Sequence, residues 1–344
     1  MPNPLPHPST RPSTHRVVVT RRMFPEVLAR LREHFDVDAN DGDAPWPRAE
    51  LLQRLQGAAG VFVTGTEQVD AELLARCPGL RAVCSMAVGY NNIDLAACTA
   101  RGVLVSNAPD VLTETTADFG FALMMAAARR VTEAERYLRR GEWKTWGVEM
   151  FAGSDVHGAT LGVLGMGRIG QAVARRGALG FGMRVIYHNR SRLPAASEAA
   201  LGATWVDKAE LLRTSDHLVI VVPYSAASHH LVGAAELALM KPTATLTNIA
   251  RGGVVDDAAL AAALRSGVIA AAALDVFEGE PQVHADLLTL PNAVLTPHIA
   301  SASLPTRHAM AHLAADNLLA ALGVGPSAGV PPTALNPAVL KAPG

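Results

Sequence analysis

The stretch Leu161-Gly162-Val163-Leu164-Gly165-Met166-Gly167-Arg168-Ile169-Gly170 decides the fold. An apolar run leads straight into a Gly-x-Gly-x-x-Gly turn, and Gln171 to Leu179 then continues with helical patterning. Glycines alone are a weak signal in a chain that has 29 of them. Strand, glycine turn and helix in that order form the phosphate-binding start of a dinucleotide fold. Gly165 permits the tight turn, Gly167 lets the backbone approach a pyrophosphate, and Gly170 lets helix and strand pack closely. The helix N-terminus offers N–H groups and partial positive charge to phosphates.

Working outward, the spacing predicts strands at Thr160–Leu164, Arg184–Tyr187, Leu218–Val222, Thr245–Ile249, Ala271–Leu274 and Val294–Thr296. Six strands separated by helix-length segments suffice for a complete doubly wound parallel sheet. Upstream, Val17–Val19, Gly60–Val63, Ala82–Cys84 and Val103–Val105 alternate with a proline-opened helix at Pro25–His34 and another near Ile93. That alternation predicts a second parallel sheet covered by helices. Long helices are expected at Thr113–Arg130 and Pro305–Leu322. Residues 1–15, with five prolines, read as a disordered tail, and the last twenty residues as irregular.

Composition narrows the class. A chain of 344 residues with 49% hydrophobic content fits two domains at ~100–200 residues each. Thirty basic against 31 acidic residues give a net charge of −1, which argues against a nucleic-acid partner. No apolar run approaches the roughly 18–20 residues of a membrane span, and no signal peptide is evident. Cys77, Cys84 and Cys98 lack the spacing of a disulfide framework or a zinc site. His229-His230 has no carboxylate or cysteine at ligand spacing, so no metal site is expected. These features describe a soluble cytoplasmic protein.

The end of the strand after the glycine turn bears on the cofactor. A site for NAD usually places an acidic residue there, about 20 residues after the glycines. Here Val185-Ile186-Tyr187-His188 runs into Asn189-Arg190-Ser191-Arg192, with no carboxylate to repel a 2′-phosphate and two arginines to bind one. NADP(H) is therefore the expected cofactor, with NAD(H) possible. His188 is a candidate to stack near the adenine.

Three further polar segments follow consecutive predicted strands, where ligands collect in open α/β sheets. They are Asn248-Ile249-Ala250-Arg251-Gly252-Gly253, Leu274-Asp275-Val276-Phe277-Glu278-Gly279-Glu280-Pro281 and Thr296-Pro297-His298-Ile299-Ala300-Ser301. An arginine among small residues suits a carboxylate, which it can grip bidentately. Each segment alone is a modest signal; three together on a dinucleotide-binding sheet are a strong one.

These motifs, with Val88-Gly89-Tyr90-Asn91-Asn92-Ile93-Asp94 and Leu112-Thr113-Glu114-Thr115-Thr116-Ala117-Asp118 upstream, resemble the D-isomer-specific 2-hydroxyacid dehydrogenase family from about Arg16 to Pro337. Within it the chain is most similar to bacterial glyoxylate/hydroxypyruvate reductases, including 2-ketogluconate reductases. The resemblance implies a catalytic Arg251, Glu280 and His298. His298 would give a proton to the carbonyl of a small 2-oxo acid, Glu280 would orient it, and Arg251 would bind the carboxylate. Backbone N–H groups of Val88 and Gly89 would complete the carboxylate cradle, with Ser301 near the substrate. Cofactor contacts are implied for Gly165, Gly167, Arg168, Ile169, Gly170, Asn189, Arg190, Ser191, Arg192, Pro223 and Ile249, and for Asp275 at the nicotinamide amide.

The resemblance also implies two Rossmann-like or flavodoxin-like domains with the active-site cleft between them. Residues 16–108 and 302–337 would form a discontinuous substrate domain, and 109–301 an inserted dinucleotide-binding domain. Segment 131–158, with Trp143, Trp146 and Phe151, would make a homodimer contact. The rival readings are a 2-ketogluconate reductase, a 3-phosphoglycerate dehydrogenase (which the missing carboxylate disfavours) and a dinucleotide-sensing corepressor of the same fold. Which 2-oxo acid is used, and whether Trp146 reaches a neighbouring active site, is left open by the sequence.

Overall fold

The computed structural model describes residues 15–341, so the expected N-terminal tail lies almost wholly outside the described residues. In chain order the elements begin with β1 (Arg16–Val19), α1 (Pro25–Arg32), β2 (Asp36–Ala39), α2 (Arg48–Arg54), β3 (Ala58–Val63), α3 (Ala71–Arg76), β4 (Ala82–Ser85), α4 (Leu95–Ala100) and β5 (Leu104–Ser106). Next come α5 (Thr113–Ala128), α6 (Val131–Arg139), β6 (Thr160–Leu164), α7 (Arg168–Arg175), β7 (Arg184–His188), α8 (Ala195–Leu201), β8 (Ala203–Trp205), α9 (Lys208–Thr214) and β9 (His217–Ile220). The series closes with α10 (Ala234–Leu237), β10 (Thr245–Asn248), α11 (Asp257–Ser266), β11 (Ala271–Leu274), α12 (Ala285–Thr289), β12 (Ala293–Leu295) and α13 (Leu304–Ala321).

The chain divides into two compact units, one from Met1–Leu112 with Ser303–Gly344 and one from Thr113–Ala302. The first holds a five-stranded sheet in the order β2-β1-β3-β4-β5, every pair parallel. Its strands bury Val18, Val61, Val63, Val83 and Val105 against one covering cluster of helical side chains. The C-terminal segment is irregular up to a short 3-10 helix at Pro337–Lys341, and it is anchored. The Asn336 side chain accepts from the Val105 N–H at 2.8 Å and donates to the Val103 carbonyl at 2.9 Å.

The second unit holds seven parallel strands in the order β12-β11-β10-β9-β6-β7-β8. Successive side chains point to opposite faces, so Leu161, Val163, Val185 and Val219 join one core while Leu164, Ile186, Leu218 and Ile220 join the other. The sheet order reverses between β6 and β9. Ligands of doubly wound sheets bind beyond the strand ends at such a switch point.

Two expectations are corrected here. The sheet has seven strands, not six, because β8 pairs with the outer side of β7. The helix expected over Thr113–Arg130 stops at Ala128, since Arg130 adopts a left-handed backbone (φ 53°) that ends one helix before α6 begins. Arg130 then pairs with Glu133 through two 2.8 Å hydrogen bonds. No helix among the described residues is long and apolar enough to cross a membrane.

Candidate active site

The glycine turn leaves β6 with Gly165 at φ +105°, a conformation that side chains resist. A Cβ there would lie 2.8 Å from the main chain of Val221 and Val222, so the turn is pressed against the strand on the far side of the switch point. At Gly170 a Cβ would lie 2.1 Å from the Gly165 carbonyl oxygen. Gly167 faces open space and caps α7 without any side-chain hydrogen bond, so the first-turn N–H groups are not claimed by a capping side chain. Such a backbone cradle at a helix N-terminus fits a pyrophosphate.

The loop after β7 is built differently from its reading in sequence. Asn189 accepts from the Met166 N–H at 2.6 Å, so its side chain holds the glycine turn in place. His188 is tied to the Val206 carbonyl at 2.9 Å and packs on Trp205, with ring centroids 5.8 Å apart. Arg190 and Ser191 are exposed. Arg192, expected to stand with no acid beside it, is instead gripped by Glu198, with Nε to Oε1 at 2.8 Å and a terminal nitrogen to Oε2 at 2.7 Å. Tyr187 donates its hydroxyl proton to the same carboxylate at 2.7 Å and accepts from the Leu193 N–H at 2.8 Å. Arg192 and then Tyr187 hold the Glu198 carboxyl down to about 2. One arginine of the pair is therefore charge-compensated, although its side chain remains 64% exposed.

The three polar segments converge at the ends of β10, β11 and β12. Asn248, 1% exposed, shapes the first loop: its side chain accepts from Ala250 N–H at 3.0 Å and donates to the Arg251 carbonyl at 3.3 Å. Gly252 then passes so close to the next loop that a Cβ would sit 1.7 Å from the Phe277 carbonyl oxygen. This contact brings the Arg251 loop against the Glu280 loop. Burial pushes the half-buried Arg251 guanidinium down from its ordinary value, and the nearby Glu280 charge opposes that.

Glu280 places one oxygen on the Phe277 N–H at 2.9 Å and the other on His298 Nδ1 at 2.8 Å. Burial alone would raise its carboxyl; the His298 hydrogen bond and charge, the Phe277 N–H and Arg251 outweigh burial and hold it below the ordinary value. An ionised carboxylate only accepts, so Nδ1 carries the proton and Nε2 faces the opposite side of the ring. The His298 backbone is left-handed, with φ 54°. Asp275 imposes that turn. Its carbonyl accepts from the His298 N–H at 2.8 Å, and its carboxylate accepts from Thr296 Oγ1 at 2.7 Å and from the Ile299 and Ala300 N–H groups at 2.8 Å each.

Asp275 itself is 0% exposed, with both carboxylate oxygens committed to the His298 loop. The Ile249 side chain is core, packed where α5 passes with Gly120. Pro223 is exposed, with its carbonyl accepting from Ser228 at 2.9 Å, and Ser301 is half-buried. In the first unit, Val88 and Gly89 lie half-buried after β4, where Asn107 donates to the Val88 carbonyl at 2.6 Å. His229 and His230 do have a carboxylate partner, which sequence spacing missed: Glu278, 48 residues on from His230, lies 2.8 Å from its Nε2. That hydrogen bond, foremost, raises the His230 imidazole above its ordinary value. Glu198 is a site-building residue that carried no sequence signal, because it acts through partners that only folding supplies.

Comparison with known proteins identifies the family. The model of the D-isomer specific 2-hydroxyacid dehydrogenase NAD-binding domain matches residues 121–300. Glyoxylate reductase of Thermococcus gammatolerans is 46% identical over 330 residues, covering 95% of this chain and 97% of that protein. Glyoxylate reductase of Aeropyrum pernix is 48% identical over 332 residues, with the same coverage of 95% and 97%. Among solved structures, a protein of Thermus thermophilus superposes with a TM-score of 0.84 at 43% identity, covering 93% of this chain and 99% of its own. An NADPH-dependent glyoxylate/hydroxypyruvate reductase of Sinorhizobium meliloti, solved with NADP and malonate, gives a TM-score of 0.80 at 37% identity over 94% and 98% of the two chains. Arg251, Glu280 and His298, after three adjacent strands of the sheet that carries the glycine turn, thus stand in a chain that belongs to the D-isomer-specific 2-hydroxyacid dehydrogenase family, and the protein is an NAD(P)-dependent oxidoreductase.

Proposed function

We propose that the chain reduces glyoxylate, and hydroxypyruvate beside it, to the 2-hydroxy acids, of D configuration where a stereocentre forms, with NADPH in preference to NADH. The observation that carries this reading is the 2.8 Å Glu280–His298 pair, with the Arg251 loop packed against the Glu280 loop through Gly252. A nicotinamide dinucleotide, when bound, supplies the hydride. The turn Gly165–Gly170, with Arg168 and Ile169 opening α7, is the seat for its pyrophosphate. Arg190, Ser191 and Arg192 are assigned to the 2′-phosphate, supported by the absence of a free carboxylate at the end of β7: the one acid there, Glu198, is already bound to Arg192.

Glu280 accepts the Nδ1 proton and so orients the His298 ring, leaving Nε2 to hand a proton to the substrate carbonyl oxygen. Arg251, a cation at any working pH, binds the substrate carboxylate and stabilises negative charge as it gathers on that oxygen. The main-chain N–H groups of Val88 and Gly89, and Ser301, are assigned to substrate binding. The protein is read as a cytoplasmic homodimer that pairs through segment 131–158. Exposure of Val131, Leu138, Trp143, Trp146 and Val148 supports such a contact, and three buried, unpaired cysteines suit a reducing compartment.

The test is optical: NADPH and NADH oxidation with glyoxylate, hydroxypyruvate, 2-ketogluconate and pyruvate. Highest kcat/KM with glyoxylate or hydroxypyruvate and NADPH is expected. Turnover confined to 2-ketogluconate, or parity between the two cofactors, contradicts the respective part of the reading.

A further inference from the structure

We propose that the first unit carries a divalent transition-metal site formed by Glu26 on α1 and His308 and His312 on α13. Residues four apart lie on one face of a helix, so α13 presents His308, His312 and Asp316 as a single stripe. The facing stripe of α1 presents Glu26 and Arg30 at the same spacing. The two rows meet in register: His308 Nδ1 lies 2.7 Å from Glu26 Oε1, and Arg30 pairs with Asp316. The Phe24 ring stacks on His308 with centroids 3.8 Å apart and planes 20° from parallel, which fixes the imidazole's orientation. One donor atom from each of Glu26, His308 and His312 lies within 4.8 Å of the other two.

Donors bound to one tetrahedral ion at ~2.0–2.1 Å stand about 3.3 Å apart. The observed spacing therefore needs only small side-chain rotations, and the Glu26 and His308 atoms are already closer than that. Two imidazoles with one carboxylate suit Zn2+, Ni2+ or Cu2+ and are a poor match to Mg2+ or Ca2+, which prefer all-oxygen shells. Water completes the coordination, since Glu26 is exposed and both histidines are half-buried. The ligands lie 282 residues apart in sequence, joining the first helix to the last. An ion here braces α1 to α13 and takes no part in hydride transfer.

A second cluster, His229, His230 and Glu278, also has its donor atoms within 4.8 Å of one another. Its histidines are sequence neighbours with stacked rings, 3.9 Å between centroids, so both cannot turn freely toward one ion. It serves as the control.

The experiment titrates Zn2+ alone, and Ni2+ alone, into the chelator-stripped full chain by calorimetry, with thermal melting alongside. One ion per chain is expected, with a melting point that rises with metal concentration. His312→Ala leaves both the Phe24 stack and the Glu26–His308 pair intact. It should weaken binding by no less than the roughly 10–100-fold that losing an outer-shell partner costs, with the metal-free melting point unchanged. Glu26→Gln should weaken binding in the same direction, and the double variant His229→Ala, His230→Ala should leave it unaltered. The proposal is overturned by absence of saturable binding, by binding that survives His312→Ala, or by binding lost with the His229 and His230 changes.

Discussion

Replacing Asp275 by asparagine separates two roles for a residue that sits wholly inside the protein. The substitution keeps size and shape but turns one of two acceptor oxygens into a donor. Three hydrogen bonds reach the carboxylate, two on Oδ1 and one on Oδ2, all at 2.7–2.8 Å. The best amide orientation keeps the oxygen toward Thr296 and Ile299 and sets the NH2 group against the Ala300 N–H. One charge-assisted bond, worth about 1.5–3 kcal/mol, is lost, and a buried N–H is orphaned at a further ~1–3 kcal/mol. Relief of the buried charge offsets part of this, because burial already raises the Asp275 carboxyl. A net loss of about 2–3 kcal/mol is expected, or roughly 5–10 °C in melting temperature for a unit of this size.

The loop that moves is the one that carries His298. A displacement of about 1 Å in catalytic geometry costs on the order of 100-fold, so kcat/KM should fall by ~10–100-fold while the Kd for NADPH changes little. The assays are urea or thermal unfolding, steady-state reduction of glyoxylate, and NADPH binding by fluorescence. An unaltered unfolding midpoint together with weakened NADPH binding would refute the reasoning, because it would place the carboxylate on the cofactor and not on the loop.

Other consequences are equally direct. Gly252→Ala should cost about 3 kcal/mol or more, since the new methyl lands on the Phe277 carbonyl and main chain must move; soluble protein with wild-type melting contradicts the packing described. Glu198 is ionised down to about 2 in the folded chain but only to ~4.3 when unfolded. Between those values the unfolded chain binds the extra proton, so the stability this group contributes is present above ~4.3 and lost as pH falls toward 2. Glu198→Gln should flatten the melting-temperature profile across that window, and an unchanged slope counts against the Arg192–Glu198–Tyr187 network. Arg190→Ala with Arg192→Ala should raise the KM for NADPH by ~10–100-fold, the worth of one or two charge-assisted phosphate contacts, and spare NADH. Equal losses with both cofactors assign the arginines elsewhere.

Much of this site is legible in the sequence because its backbone demands unusual residues. A Gly-x-Gly-x-x-Gly run between strand and helix leaves few structures open, since Gly165 must turn at positive φ and Gly170 must admit a carbonyl. Arg251, Glu280 and His298 are visible because each follows an apolar strand. What escapes notice is held by partners far apart or by polar edges. β2 is a four-residue edge strand, Asp-Val-Asp-Ala, with no buried residue, and β8 is a three-residue edge strand. Neither has the apolar run that marks an inner strand. Glu198 reads as an ordinary helical acid until folding sets it against Tyr187 and Arg192, and Asp275 as a strand-end acid until its neighbours close over it. The Glu278 partner of His230 is hidden for the same reason.

The central claim is that His298, oriented by Glu280, gives the proton in reduction of a 2-oxo acid. The most direct measurement is glyoxylate-dependent NADPH oxidation by the wild-type chain and by His298→Gln, with NADPH binding measured on both. Turnover by the wild type is expected, with a loss of ~100–10,000-fold in kcat for the variant, the usual contribution of a positioned acid, and with cofactor affinity retained. A wild type that binds NADPH but reduces no 2-oxo acid, or a variant that keeps its rate, contradicts that claim.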